Sequence, residues 1–168
     1  ALGQRAAEFR ALVSYNGKTF DVPLLRTRFI FHRARSVWET PHLDLLHLAR
    51  RFWRNRLQDC SLGSVERAIL GIERRSDVPG ALVPRIFFDF VRGVRRERMI
   101  EVFDHHIQDI ASLGGLLGRL GRMAAEPLHR DFANPAERLG MANFFEQTDK
   151  PALARACLSG DFETARGY

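Results

Sequence analysis

The 168-residue sequence is sparing in several respects, and each scarcity excludes something. Only two cysteines occur, Cys60 and Cys157, far apart in the chain. They make neither a disulfide framework nor a zinc site by themselves, so a reduced, cytoplasmic setting is the expectation. Lysine is nearly absent: of 26 basic residues only Lys18 and Lys150 are not arginine. No apolar run approaches the roughly 20 residues that a helical membrane span needs, so no membrane partner is expected. The opening residues do not read as a signal peptide. No segment repeats, and no stretch is of low complexity.

What is present fits a folded domain. Apolar residues make up 45% of the chain and charged residues 27%, enough for a hydrophobic core and against global disorder. The formal charge of +6 permits a nucleic-acid or other anionic partner without requiring one. Arginine forks onto phosphate oxygens, but high arginine usage is also a common genomic bias.

Local signals give an α/β order. Residues 1–11 are helix formers. Leu12 to Tyr15 is short and β-prone, and Asn16-Gly17 is turn chemistry. Phe20 to Arg33 reads as a helix with Pro23 in its first turn. Residues 34–41 are a polar break. Leu43 to Trp53 places Leu45, Leu48, Ala49 and Phe52 on one helical face, although its first residues also suit a short strand. Ser61 is an N-cap for a helix through Leu70, with Gly71 as its stop. Asp77 to Gly80 is a turn. Pro84 opens a short aromatic helix that closes at Gly93. Glu97 to about Met123 is the longest helix. Its stripe of Met99, Val102, Phe103, His106, Ile110, Leu113, Leu117 and Leu120 predicts the core-facing side. The expected organisation is a domain over 1–123, a linker over 124–135 and a helical hairpin over 136–168.

Three carboxylates stand out. Asp21 follows the strand and turn at a helix start, where α/β folds place their sites. Asp44 precedes an apolar helix. Asp109 lies four residues after His105 in the long helix, so their side chains share a face. Each also has a plain reading: a dipole-favoured charge for Asp21, an N-cap for Asp44, a solvated i,i+4 pair for His105 and Asp109.

Residues 11–26, Ala-Leu-Val-Ser-Tyr-Asn-Gly-Lys-Thr-Phe-Asp-Val-Pro-Leu-Leu-Arg, resemble the second exonuclease motif of the ribonuclease-H-like superfamily, in its YprB-type branch. His42 to Trp53 is similar to the next block of that family. Ser61 to Arg74, with Pro79-Gly80 and Pro84, resembles the insert after it. Asp104-His-His-Ile-Gln-Asp-Ile-Ala-Ser-Leu113 resembles the third motif. Several blocks in order, over about residues 11–120, are more specific than any one.

The resemblance implies a ribonuclease-H-like α/β fold and a metal-dependent 3′–5′ exonuclease acting on nucleic acid, DNA or RNA. It implies Asp21 and Asp109 as carboxylates for Mg²⁺ or Mn²⁺, and His105 as the residue that orients or deprotonates the attacking water. It implies substrate contacts at Asn16, Gly17 and Phe20. His106 stands where the family has Asn, and the stripe puts it in the core. Asp44 is held as a residue at the edge of the site. Hard cations take oxygen ligands, and paired ions need several carboxylates from different elements.

The family pattern opens with Asp-x-Glu on a first strand, which is absent ahead of Leu12. Asp161-Phe-Glu163 follows Ser159-Gly160 rather than an apolar strand and reads as a turn. With a first residue that is not Met, the expectation is an incomplete, helix-rich fold lacking its first strands, cut from a longer protein and inactive alone. The alternative is a non-catalytic nucleic-acid-binding or protein-interaction module. Arg50-Arg51-Phe52-Trp53-Arg54-Asn55-Arg56 reads as core aromatics beside a solvated cationic face. Arg92, Arg95, Arg96 and Arg98 cluster ahead of the long helix, where they could steer a phosphate backbone. The tail, from Leu139 onward, resembles the opening of a tetratricopeptide-type array and offers a surface for a protein partner. A C-terminal hairpin packed on the domain reads equally well.

Overall fold

A computed structural model describes residues 9–33, 40–74, 78–132 and 134–159. The expected first helix, the Asp161-x-Glu163 triplet and most of the 34–41 break lie outside them. Strand β1 (Leu12–Ser14) and strand β2 (His42–Asp44) pair in parallel, with Leu12 opposite His42 and Ser14 opposite Asp44. Helix α1 (Asp21–Phe31) lies in the crossover between them, as a parallel pair requires. The β-prone start of the Leu43–Trp53 segment is thus strand. Its remainder is α2 (Leu45–Trp53).

Ser61 caps α3 (Leu62–Val65), accepting from the Ser64 N–H at 3.3 Å. A π-helical turn, Glu66–Leu70, continues it, and Gly71 at φ +67° stops it in the left-handed region. Helix α4 (Val83–Val91) carries Pro84 in its first turn and is followed by Gly93 at φ +77°. Helix α5 spans Arg98–Ala125, and α6 (Pro135–Gln147) and α7 (Pro151–Ser159) form the tail. Asn134 caps α6 through the N–H groups of Ala136 and Glu137. The architecture is helix-rich around a two-stranded parallel sheet.

The core is built mainly by helices. Leu45, Ala49 and Trp53 of α2, Val65, Leu116 and Met123, and Met141 and Phe145 of α6 share one buried cluster. Ala154 and Cys157 of α7 join it. Helix α6 comes close enough to α2 that a Cβ on Gly140 would lie 2.6 Å from the Phe52 carbonyl oxygen. Only glycine allows that backbone approach.

Helix α5 is turned differently from its predicted stripe. The buried residues are Ser112, Leu116, Leu120 and Met123. His106 is exposed, and so are Phe103, Ile107 and Ile110, at 55–64%. The packed face includes polar residues whose partners come from elsewhere in the chain, so counting apolar residues alone selected a neighbouring face.

Candidate functional site

The turn after β1 is fastened by Asp44. Its carboxylate accepts from the N–H groups of Asn16 (2.8 Å), Lys18 (2.9 Å) and Leu46 (3.1 Å). It therefore caps α2 and clamps the Asn16-Gly17 turn in one step. Asn16 adopts φ +63°, tolerable for Asn in the left-handed region, and its Oδ1 accepts from the Thr19 hydroxyl at 2.5 Å. Gly17 has no room for a side chain: a Cβ would meet Ser14 Oγ at 2.5 Å and approach Asp21 Oδ2 to 3.5 Å. Ser14 Oγ in turn bonds His42 Nε2 at 2.7 Å. Asp21 is thus set beside Gly17 at the first position of α1, at the C-terminal edge of the parallel pair. Phe20 stands next to it, 66% exposed.

Asp44 gives a pH signature. Burial pushes its carboxyl up, but the N–H donors of Lys18, Asn16 and Leu46 outweigh burial and hold it below the usual carboxylate range. A depressed folded value stabilises the fold above the unfolded value, about pH 4, and the gain is lost as pH falls through the folded value. Asp44→Asn is expected to lower stability at neutral pH by about 1–3 kcal/mol. It should also flatten the loss of stability below about pH 4. Denaturant titrations at neutral pH and at about pH 3 check this; an acid limb identical in both proteins contradicts it.

The second cluster lies on the packed face of α5. Arg74 Nη2 donates to Asp109 Oδ1 at 2.7 Å, and Arg74 Nε to Glu66 Oε2 at 2.5 Å. Arg74 Nη1 lies 3.0 Å from His105 Nδ1, and His105 Nε2 is 3.4 Å from Asp109 Oδ2. Glu66 is fully buried, and its other oxygen accepts from Ser112 Oγ at 2.6 Å. Burial works against the charged guanidinium, but Glu66 and Asp109 more than offset it and raise the Arg74 pKa. Arg74 is a cation gripped by two carboxylates. The His105–Asp109 proximity was legible as an i,i+4 pair. Arg74, Glu66 and Ser112 were not singled out from sequence; the signal available was a charged or hydroxyl residue inside an otherwise packed helical face.

The structure gathers Asn16, Gly17, Phe20, Asp21 and Asp44 around the β1 turn, and His105 with Asp109 around Arg74. Among the described residues no three His, Cys, Asp or Glu side chains could hold a metal ion. The one Asp109 oxygen is already engaged by a guanidinium and the other faces His105. Paired divalent ions need several converging carboxylates, and among the described residues Asp21 and Asp109 are not joined by others in such a set. Among the described residues no helix is long and apolar enough to cross a membrane.

The RNase_H superfamily model matches residues 1–120. "Uncharacterized protein YprB" of Bacillus subtilis (strain 168) is 35% identical over 148 residues, 85% of this chain. The chain spans 36% of that relative's length. No solved structure matches.

Proposed function

Because the chain belongs to the ribonuclease H superfamily, whose members generally use divalent metal ions, we propose that it is part of a metal-dependent 3′–5′ exonuclease acting on nucleic acid. The observation that supports this reading is the Asp21 carboxylate beside Gly17, where the chain leaves a parallel strand and enters a helix. In this reading Asp21 and Asp109 are the metal carboxylates, and Mg²⁺ or Mn²⁺ is the ion. His105 orients the water, and Asn16, Gly17 and Phe20 meet the substrate strand. Asp44 contributes by fixing the turn that carries them. The reading needs acidic ligands beyond those that the described residues assemble.

The test is a longer chain in which this segment follows an apolar strand bearing Asp-x-Glu. With Mg²⁺ and a 5′-labelled single strand of DNA or RNA, progressive shortening from the 3′ end is expected. Asp21→Ala and Asp109→Ala should each reduce it by about three orders of magnitude. Unchanged rates in both variants sink the assignment. A second reading, a non-catalytic binding module, is favoured by the Arg74–Asp109 ion pair. Under it neither variant nor metal changes nucleic-acid affinity.

A further inference from the structure

Helix α4 is anchored by one buried residue, Ile86, 1% exposed. Its other side carries exposed apolar side chains. Phe88 is 57% exposed, Phe87 47% and Val91 64%. Arg85, Phe88 and Arg92 recur at i, i+3 and i+7, so they line one face of the helix. Gly93 then turns the chain at φ +77°. Arg96 folds back over that turn: a Cβ on Gly93 would lie 3.2 Å from Arg96 Nη2. Arg85, Arg92, Arg95 and Arg96 are all exposed.

The arginines here differ from those that reach the buried carboxylates. Arg56 and Arg119 are paired with Glu137, and Arg74 with Glu66 and Asp109. Among the described residues no ion pair involves Arg85, Arg92, Arg95 or Arg96. From Val83 to Arg98 the sequence has five arginines against Asp89 and Glu97. An uncommitted cationic set beside exposed phenyl rings matches an anionic partner with flat apolar faces.

We propose that the outward face of α4 and the loop after it bind single-stranded nucleic acid. Bases stack on Phe87 and Phe88, and Arg85, Arg92, Arg95 and Arg96 take the phosphates. A duplex would use the guanidiniums but keep its base faces stacked away from the rings. An apolar protein segment would use the rings and leave the guanidiniums without counter-charge. The inference rests on the reading of nucleic acid as the substrate class, and gives that substrate a docking surface outside the two carboxylate clusters.

The test uses the 168-residue chain and fluorescently labelled 15-nucleotide oligo(dT) and oligo(U) in EDTA, read by fluorescence anisotropy over a salt series. EDTA removes divalent ions, so binding is measured without hydrolysis. Phe87→Ala with Phe88→Ala is expected to weaken binding at least tenfold and leave the salt slope unchanged, as loss of stacking does. Arg92→Ala, Arg95→Ala and Arg96→Ala together should reduce the slope of log K against log salt by about 2, at about 0.7 per single-strand phosphate contact. Thermal melts matching the parent's show that these exposed changes leave the fold intact. No binding by the parent chain, equal affinity for duplex, or affinity and slope untouched by both variants overturns the proposal. Turnover by the longer chain with binding indifferent to the α4 variants removes this surface and keeps the nuclease. Binding that follows the variants with no turnover keeps the surface and removes the nuclease.

Discussion

Replacing Glu137 with alanine is expected to destabilise the fold by about 3–5 kcal/mol, the range for breaking a buried ion pair by removing one partner. The Glu137 side chain is 1% exposed and accepts from three donors. Trp53 Nε1 lies at 2.8 Å, Arg119 Nη2 at 2.8 Å and Arg56 Nη1 at 3.1 Å. Those donors belong to α2, to the segment just after it, and to α5, whereas Glu137 is in the first turn of α6. One carboxylate therefore joins the tail to the body. Without it the indole N–H and the Arg119 guanidinium, whose Nε already has no partner, stay behind with little solvent. Denaturant unfolding followed by tryptophan fluorescence and by circular dichroism measures the loss. A change below about 1 kcal/mol, in the range of surface pairs, sinks this account.

Arg74→Met is expected to cost a similar amount, about 3–5 kcal/mol, for a related reason. Glu66 is fully buried, and Arg74 supplies its only cation among the described ion pairs. Removing the guanidinium leaves that carboxylate with the Ser112 hydroxyl alone. Replacing both members, Glu66→Leu with Arg74→Met, should recover most of the loss, because no uncompensated charge then stays inside. Asp109, whose side chain is 27% exposed, can turn to water and is expected to add little. The cycle is read from denaturant midpoints of four proteins. A double variant as unstable as the sum of the two singles contradicts the coupling.

These two clusters also mark where sequence reading ends. The β1 strand, the Asn16-Gly17 turn, the Ser61 cap and the Gly71 and Gly93 stops are encoded by neighbours a few residues apart, and local chemistry decides them. Asp44 as an N-cap was legible for the same reason, since its Leu46 bond is local. Its grip on Asn16 and Lys18, 28 and 26 residues away, was not. Helix α5 was legible in length but not in rotation. Its packed side contains His105, Asp109 and Ser112, which look solvent-bound until Arg74 and Glu66 arrive from 31 to 46 residues upstream. Partners that far apart leave no periodic trace.

The same geometry shapes the functional account. The turn bearing Asp21 follows a parallel strand and is clamped by Asp44, while Asp109 is held by the Arg74 guanidinium. The most direct measurement is the 168-residue chain itself, incubated with Mn²⁺ and a 5′-labelled single strand of DNA or RNA. The account predicts that the strand stays at full length, because among the described residues the acids do not make up a metal site. Shortening of the strand that depends on Mn²⁺ and vanishes in Asp21→Ala would contradict it.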